Sequence, residues 1–483
     1  MRHPFEFPLD LPGRGSRRRL QALHGQLRAA ILDGRLGPGL RLPATRELAL
    51  ALDISRNTVV AAYDLLLGEG YLEARRGAGC YVADLAARRD APRAKSGVPG
   101  PEARLAPHWR GFDAVPPPMS PGGAEHDFRL GIPDNRGFPY EIWRRLSARA
   151  LRQLSKAPPL YAAAAGRSAL REAIARHISF TRAVACEPAD VIVTSGAQQA
   201  FDLLARVLVT PGRTVLALED PGYPPLRAAF AAAGARVVAV PVDTEGLVVE
   251  CLPADTDVVY TTPSHQFPLG VAMSPRRRLQ LLAFARSRGS LVIEDDYDSE
   301  FRYGSRPLDA LQTLDRDDGV CYVGTFSKCL FPALRIGYAV APSWLRAALA
   351  HAKQLADWHG DVLAQDTLAA FIAEGHLVRH VRHMRKVYAT RRTALLDALA
   401  RHGAGRLQAW PSAAGLHLAA RLPAGVDAAT LASRAAAGGI HLEPLCAFAH
   451  EATAPNGIAF GFGMIDAPDI DRAVYRVARL IDG

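Results

Sequence analysis

The sequence is short of lysine. Its 483 residues carry 58 Lys and Arg together, yet only five are lysines: Lys95, Lys156, Lys328, Lys353 and Lys386. Arginine has taken nearly every other cationic position, so a lysine at 328, between an apolar run and a loop of small residues, raises the question of whether an amine that can lose its proton is needed there. Cysteine is also sparse. The six (Cys80, Cys186, Cys251, Cys321, Cys329 and Cys446) are scattered with no Cys-x-x-Cys pair, which excludes zinc-type spacing and argues against a disulfide framework. They read as small buried apolar residues, and no metal is expected. No apolar run approaches membrane-spanning length, and the start "MRHPFEFPLD" lacks the basic-then-apolar pattern of a secretory signal. The expectation is a cytoplasmic protein with no membrane partner. No internal repeat is visible.

What is present suggests two or three domains, since one core rarely extends over so long a chain. The apolar fraction, 49%, is that of a soluble globular protein. The net charge of +10 is unevenly placed: residues 1–110 hold 18 Lys and Arg against 11 Asp and Glu, a surplus of +7. Such a concentration points to nucleic acid or another polyanion at the N-terminal end. An arginine-rich solvated face is the alternative on charge alone.

Three regions separate. Residues 1–84 look compact and helical before turning to a short β pattern. Residues 85–125 are rich in Pro, Gly, Ala and Arg without periodicity and read as a flexible linker. A coil of that length spans roughly 35 Å root-mean-square. Residues 126–483 alternate short β-branched runs with helical stretches: "DVIVTSG", "TVLALED", "ARVVAVPV", "DVVYTTP", "SLVIEDD" and "GVCYVGTF". Runs of this kind, buried on both faces and separated by helices, predict an α/β unit with a mostly parallel sheet.

In the first region Leu20, Leu23, Leu27 and Ile31 make one helical stripe, and "PGLRLP" then breaks the chain. "TRELALAL" predicts a short helix with Thr45 as its N-cap, and Ser55 can cap "RNTVVAAYDLLLGEG" after the tight turn "DIS". Gly70 ends that helix, and "YLEARRGAGCYV" alternates like two strands around a turn at Gly77–Gly79. Helix, helix, turn, helix and β-wing make a winged helix-turn-helix. Its third helix would enter the major groove with Arg56, Asn57 and Thr58 at the leading end, next to Ser55. Arg46 is placed to reach the DNA backbone, and Arg75, Arg76 and Gly77 lead the wing. A basic three-helix bundle used for protein contacts is the alternative. The Leu-Pro-x-x-Arg, Ser-Arg-x-Thr-Val and wing Gly-x-Gly elements occur in order, and this region resembles the GntR family of bacterial transcription regulators. The resemblance implies a double-stranded DNA operator as partner.

The second region carries chemistry. Covalent attachment to an aldehyde cofactor needs a lysine that can be neutral at a fixed place. For pyridoxal phosphate (PLP), the ring nitrogen also needs a carboxylate. The phosphate needs hydroxyls, helix-start N–H groups and an arginine, and the ring face needs an aromatic or apolar cover. "TSGAQQAFDLL" ends a strand and opens a helix at Gly196, Ala197 and Gln198. "EDPGYPPL" places Tyr223 on a loop, "SLVIEDDYDSEF" ends a strand with Asp295 and Tyr297, and "GTFSKCLFPALRIGY" brings Thr325, Ser327, Lys328 and, seven residues on, Arg335. All fall at the C-terminal ends of predicted strands, where open α/β sheets bind ligands. Singly each has a plainer reading: a structural helix cap, a packed tyrosine, an acidic loop in which Asp296 or Asp298 is merely solvated, a surface cation. Their joint order is what counts.

Over residues 126–483 that order resembles the fold-type I PLP enzymes of the aspartate aminotransferase kind, with a smaller α+β C-terminal subdomain. The resemblance implies that Lys328 is the PLP lysine, Asp295 the partner of the ring nitrogen and Tyr297 the phenol near the ring hydroxyl. It makes Tyr223 the stacking aromatic and Thr325, Ser327 and Arg335 the phosphate clamp. Tyr161 would reach the phosphate of a neighbouring subunit, which implies a homodimer in head-to-tail arrangement. A GntR domain fused to this unit resembles the MocR/GabR regulators, as do "TPSHQFPLG", "IEDDYDSEFRY" and "AAGLHLAARL". Two positions depart from aminotransferases. Phe267 stands where an asparagine is usual, with His265 or Gln266 as the candidate substitute. Ala459 stands where an arginine usually grips the substrate carboxylate, and His441 is a candidate group for a different effector. Both argue against efficient transamination. The expected function is a PLP-binding transcription regulator that responds to PLP, an amine or an amino acid. An active aminotransferase and a DNA-binding protein with a mere dimerisation scaffold are the competing readings.

Overall fold

The computed structural model describes residues 5, 7–13, 16, 18–75, 79–84, 109, 124–158, 160–303, 309–403, 405–451 and 454–482. Arg76 and Gly77 lie outside them, as does the expected linker apart from Trp109, Ala124 and Glu125. The chain forms two compact units, Met1–Arg104 and Leu105–Gly483.

In the first unit, helix Arg19–Leu32 buries Leu23, Leu27, Ala30 and Ile31, with Leu20 partly buried at the edge of that stripe. The second helix, Thr45–Ala51, is capped by Ala44 rather than by Thr45. The reason is Glu47, whose carboxylate turns back to accept the Ala44 N–H at 3.1 Å. An acid in the first turn thus does what a capping hydroxyl would have done. The third helix, Arg56–Gly68, is capped as expected: Ser55 Oγ accepts the Thr58 N–H at 3.1 Å, a bond worth about 1 kcal/mol. It buries Val59, Ala62, Tyr63 and Leu66, and each large apolar side chain contributes about 1.5–3 kcal/mol. Tyr63 also donates its hydroxyl proton to the Pro43 carbonyl at 2.9 Å, which ties the Leu-Pro turn to this helix. Gly70 takes φ +76° and turns the chain into the wing, where Leu72–Arg75 pairs antiparallel with Gly79–Val82.

In the second unit the described residues form an eight-stranded sheet in the order Val191–Thr194, Gly337–Val340, Val320–Thr325, Leu291–Asp296, Val258–Thr261, Val215–Asp220, Arg236–Asp243 and Gly246–Leu247. The six runs singled out in the sequence are all strands of this sheet. Gly337–Val340 is a further strand, antiparallel to both neighbours. The short Gly246–Leu247 is antiparallel too, and the rest pair in parallel. Both faces are covered by helices, which is why the strands read as continuous apolar runs. A smaller antiparallel sheet, Gln408–Ala409, His417–Arg421, Gly457–Gly461 and Glu443–Pro444, packs with helices Ala428–Ala437 and Ala467–Asp482 into the C-terminal subdomain. No helix among the described residues is long and apolar enough to cross a membrane.

Candidate cofactor site and nucleic-acid interface

Strand register gathers the site. Thr194 is level with Gly337, and Gly337 with Thr325; Gly324 is level with Asp296 on the next strand. The turn after Thr194, the loop before Gly337 and the loops after Thr325 and Asp296 therefore leave one edge of the sheet together. Lys328 is partly buried there, and its Nζ donates to the Gly131 carbonyl at 2.8 Å. Gly131 adopts φ +69°, and a Cβ added to it would lie 2.5 Å from Nζ. Burial lowers the pKa of the amine below the usual lysine value, while Asp298, Asp295 and Glu443 act to keep its proton on.

Asp295 is buried, and its Oδ2 accepts the Tyr260 hydroxyl at 2.7 Å. Its Oδ1 is buried with no hydrogen-bond partner. Burial pushes the carboxyl up to about 7, opposed by the Tyr260 bond and by Lys328 and assisted by Asp296. An unsatisfied carboxylate oxygen in such a place suits a cationic N–H.

The residues expected to bind an anion lie on the adjoining loops. Helix Gly196–Leu208 starts without a side-chain cap on its first turn. Gly196 has φ +74°, and a Cβ there would lie 2.9 Å from the Arg335 guanidinium, which donates to the Ser195 carbonyl at 2.6 Å. Thr325 and Ser327 join their hydroxyls at 3.0 Å. The Gln198 amide bonds the Pro225 carbonyl at 3.2 Å, which links this turn to the loop of Tyr223. Tyr223 packs edge-on against Phe267, ring centroids 5.5 Å apart.

Tyr297 donates to the His265 carbonyl at 2.9 Å and lies 3.0 Å from its Nδ1. Gln266 instead spends its amide on the Pro221 carbonyl and on Glu219. Of the two candidate substitutes near Phe267, His265 is therefore the one beside the phenol. The loop acids are not solvated: Asp298 faces His265 at 3.1 Å, and Asp296 accepts Arg182 Nε and the Tyr322 hydroxyl, each at 2.6 Å. Their burial, at 2% and 6% exposure, overturns the solvated reading.

Tyr161 is not brought to this cluster; it is 77% exposed and packs at a tilt against Trp358, ring centroids 4.7 Å apart. His441 lies on a two-residue strand paired with His126–Asp127, beside Asp127 and Glu443. Ala459 sits in an apolar cluster with Leu269, Val271, Trp410 and Leu445.

On the first unit, Arg46, Ser55, Arg56, Asn57 and Arg75 are exposed and Thr58 is half-buried. Arg75 lies over the Tyr81 ring at 4.4 Å, and Arg46, Arg56 and Asn57 have no bonded partner among the described residues.

Residues 126–448 match the family described as "Aminotransferase class I and II", and residues 20–82 that of "Bacterial regulatory proteins, gntR family". The chain is 37% identical over 447 residues to a probable rhizopine catabolism regulatory protein, MocR, of Rhizobium meliloti, covering 92% of this chain and 90% of that one. It belongs to the MocR-type regulators of the GntR family. Another relative is the HTH-type pyridoxine biosynthesis transcriptional regulator PdxR of Corynebacterium glutamicum, 34% identical across 91% of each chain. The α-aminoadipate aminotransferase of Thermus thermophilus, solved in complex with N-(5'-phosphopyridoxyl)-L-leucine, superposes with a TM-score of 0.69 at 30% identity, covering 75% of this chain and 92% of that one.

Sequence reasoning missed Gly131 and Tyr260. Gly131 left one trace, a glycine just before Ile-Pro in "RLGIP"; Tyr260 left none that separates it from core residues.

Proposed function

We propose that this chain is a cytoplasmic, PLP-binding transcription regulator in which Lys328 is the attachment point and the winged domain reads a double-stranded operator. The observation that carries the reading is the orphaned Asp295 Oδ1, a buried acceptor that fits the ring N–H of PLP. Around it, Arg335, Thr325, Ser327 and the first-turn N–H groups of Gly196, Ala197 and Gln198 would hold the phosphate. Tyr223 would cover the ring, and Tyr297 with His265 would face its hydroxyl. Bound PLP supplies an aldehyde and an electron-withdrawing ring. Burial of Lys328 favours the neutral amine that attachment requires.

Arg56 and Asn57 at the start of the third helix are the base-reading candidates, and Arg46 and Arg75, with Arg76 and Gly77 at the wing, are the phosphate contacts. Residues 1–84 and 126–483 would act as separate bodies joined by 85–125. The exposed Leu160, Tyr161, Leu355 and Trp358 support a head-to-tail homodimer in which Tyr161 serves the partner's phosphate site. An effector (PLP, an amine or an amino acid) would act by binding two arrangements of the winged domains with different affinity. Ala459, set among apolar side chains where a substrate-gripping arginine is usual, favours sensing over turnover.

Absorption spectroscopy of the purified protein with added PLP tests the reading. A visible band lost in Lys328→Ala is expected, and a colourless protein that cannot be reconstituted would sink it. Footprinting of DNA upstream of the protein's own gene, with and without PLP and amines, tests the regulatory half. Rapid multiple turnover with amino and keto acids would instead identify an aminotransferase.

A further inference from the structure

The segment Phe128–Ile132 passes beside Lys328, and strand Gly457–Gly461 with the turn after it fixes the segment there. The Gly461 N–H donates to the Phe128 carbonyl at 2.7 Å. A Cβ at Gly461 would collide with the Arg129 carbonyl, and one at Gly463 with that of Ile132, so glycine is what lets the two backbones approach. Adjoining residues of the segment then make two connections. The Gly131 carbonyl accepts from Lys328 Nζ at 2.8 Å, and the Leu130 N–H donates to Glu443 Oε2 at 2.8 Å. Glu443 is thereby set one residue along the backbone from the amine. Leu130, Gly131, Lys328 and Glu443 are all half-buried, so the run from amine to carboxylate keeps contact with solvent.

Only one oxygen of Glu443 is used. Oε1 has no hydrogen-bond partner among the described residues. Glu443 is level with Ala459 on the adjoining strand, and Ala459 with Ala419 on the next. Residues paired in this way share a face of the sheet, so the carboxylate ends a row of methyl-sized side chains. Those alanines belong to the apolar cluster of Leu269, Val271, Trp410 and Leu445, against which Leu130 packs. The groups acting on Glu443 are His441, Asp127 and Arg129, and those acting on Lys328 are Asp298, Asp295, Arg335 and Glu443 itself. Most of them are matched. Asp127 takes Arg129 Nε on both oxygens, at 2.9 and 2.8 Å, and Asp298 faces His265. Asp295 is assigned to the cofactor ring and Arg335 to its phosphate. Glu443 is the carboxylate still able to take a cation, and neither arginine is left to receive an anion.

We propose that Glu443 determines effector selectivity, and that the effector is an amine with a second cationic nitrogen and no carboxylate. One nitrogen lies at the Lys328 end of the run and the other at Glu443 Oε1. This rests on the reading that PLP is held at Lys328, beside which the effector would bind. An effector carboxylate in the same place would face Glu443 across apolar side chains, with no cation to offset the repulsion.

The test is equilibrium binding of amines to PLP-loaded full-length protein, followed by circular dichroism of the visible cofactor band. The probes are α,ω-diamines of three to five carbons, each beside the monoamine and the ω-amino acid of the same chain length. The best diamine should bind roughly tenfold more tightly than its monoamine, since it gains a charge-assisted hydrogen bond. The ω-amino acid should bind more weakly than either. Glu443→Gln keeps an acceptor for the Leu130 N–H but carries no charge, so the preference for diamine over monoamine should vanish. Simple loosening of the site would weaken both probes together and leave that preference intact. Wild-type protein that binds monoamines or amino acids as tightly as diamines, or whose band no amine perturbs, would overturn the assignment, as would a preference that survives Glu443→Gln. Should the variant fail to fold, the ordering of the three probe classes on wild-type protein decides alone. Wild-type protein that takes up no PLP would sink the parent reading instead.

Discussion

Replacing Asp295 by asparagine in PLP-free protein should make the chain more tolerant of alkali while disabling cofactor capture. The folded-state carboxyl is raised from 3.8 to about 7, chiefly by burial. The folded chain therefore keeps a proton that the unfolded chain gives up, so this group erodes stability as pH rises from about 4 to 7, and the full cost stands above that window. A rise of about three units at about 1.4 kcal/mol each is on the order of 4 kcal/mol. Roughly half is already incurred near pH 5.5, leaving about 2 kcal/mol to appear between about pH 5.5 and 8.5. The introduced asparagine would still accept from Tyr260, but its amide hydrogens would occupy the place of Oδ1, which has no partner. That adds an offset that does not vary with pH, so the slope is what matters. Urea unfolding followed across this range should show the difference between variant and wild type moving in the variant's favour by about 2 kcal/mol. Saturating PLP should flatten the wild-type slope, since a cationic N–H at Oδ1 lets Asp295 ionise without penalty, and should leave the variant unaffected. A difference between variant and wild type that stays constant with pH would refute the argument.

Gly131→Ala places a Cβ 2.5 Å from Lys328 Nζ in a backbone conformation of φ +69°. The strain should cost the fold about 1 kcal/mol or more, read by urea unfolding, and the crowded amine should weaken PLP uptake measured by absorption; unchanged uptake would show that the Lys328–Gly131 contact is dispensable. Arg56→Ala should lower operator affinity by about 1–3 kcal/mol if the arginine reads a base. Fluorescence anisotropy at several salt concentrations checks this, and unchanged affinity moves the contact elsewhere. Ser55→Ala removes the bond to the Thr58 N–H and should cost the first unit about 1 kcal/mol. Hydrogen exchange in Arg56–Gly68 of the full chain would show it as roughly fivefold faster opening.

Much of this architecture was legible because its strands are short, apolar and bounded by turn residues. The exception, Gly337–Val340, is four residues following the Arg335 loop, and nothing in "GYAV" marks its direction. Only pairing shows that it runs antiparallel between Val191–Thr194 and Val320–Thr325. It matters because it sets Gly337 against Gly196, where a Cβ would lie 2.8 Å from the Gly196 carbonyl carbon. The Thr45 cap failed for a related reason. A cap depends on which group turns back, and Glu47 did.

The run "EDDYD" shows where local reading ends. A charge cluster looks solvated when no partner is in view, and these partners come from far along the chain: Arg182 is 114 residues from Asp296, and His265 is 33 from Asp298. The pleat of the strand does the sorting, because successive side chains face opposite sides of a sheet. Asp295 points to Tyr260 and the Lys328 side, and Asp296 to Arg182 and Tyr322. Beyond the strand's end, Asp298 turns to His265. Three acids within four residues thus acquire three different partners. Asp295 and Asp296 each keep one buried oxygen without a partner, but only the Asp295 carboxylate is on the Lys328 side of the sheet, which is why the proposed reading leans on it rather than on the more conspicuous lysine.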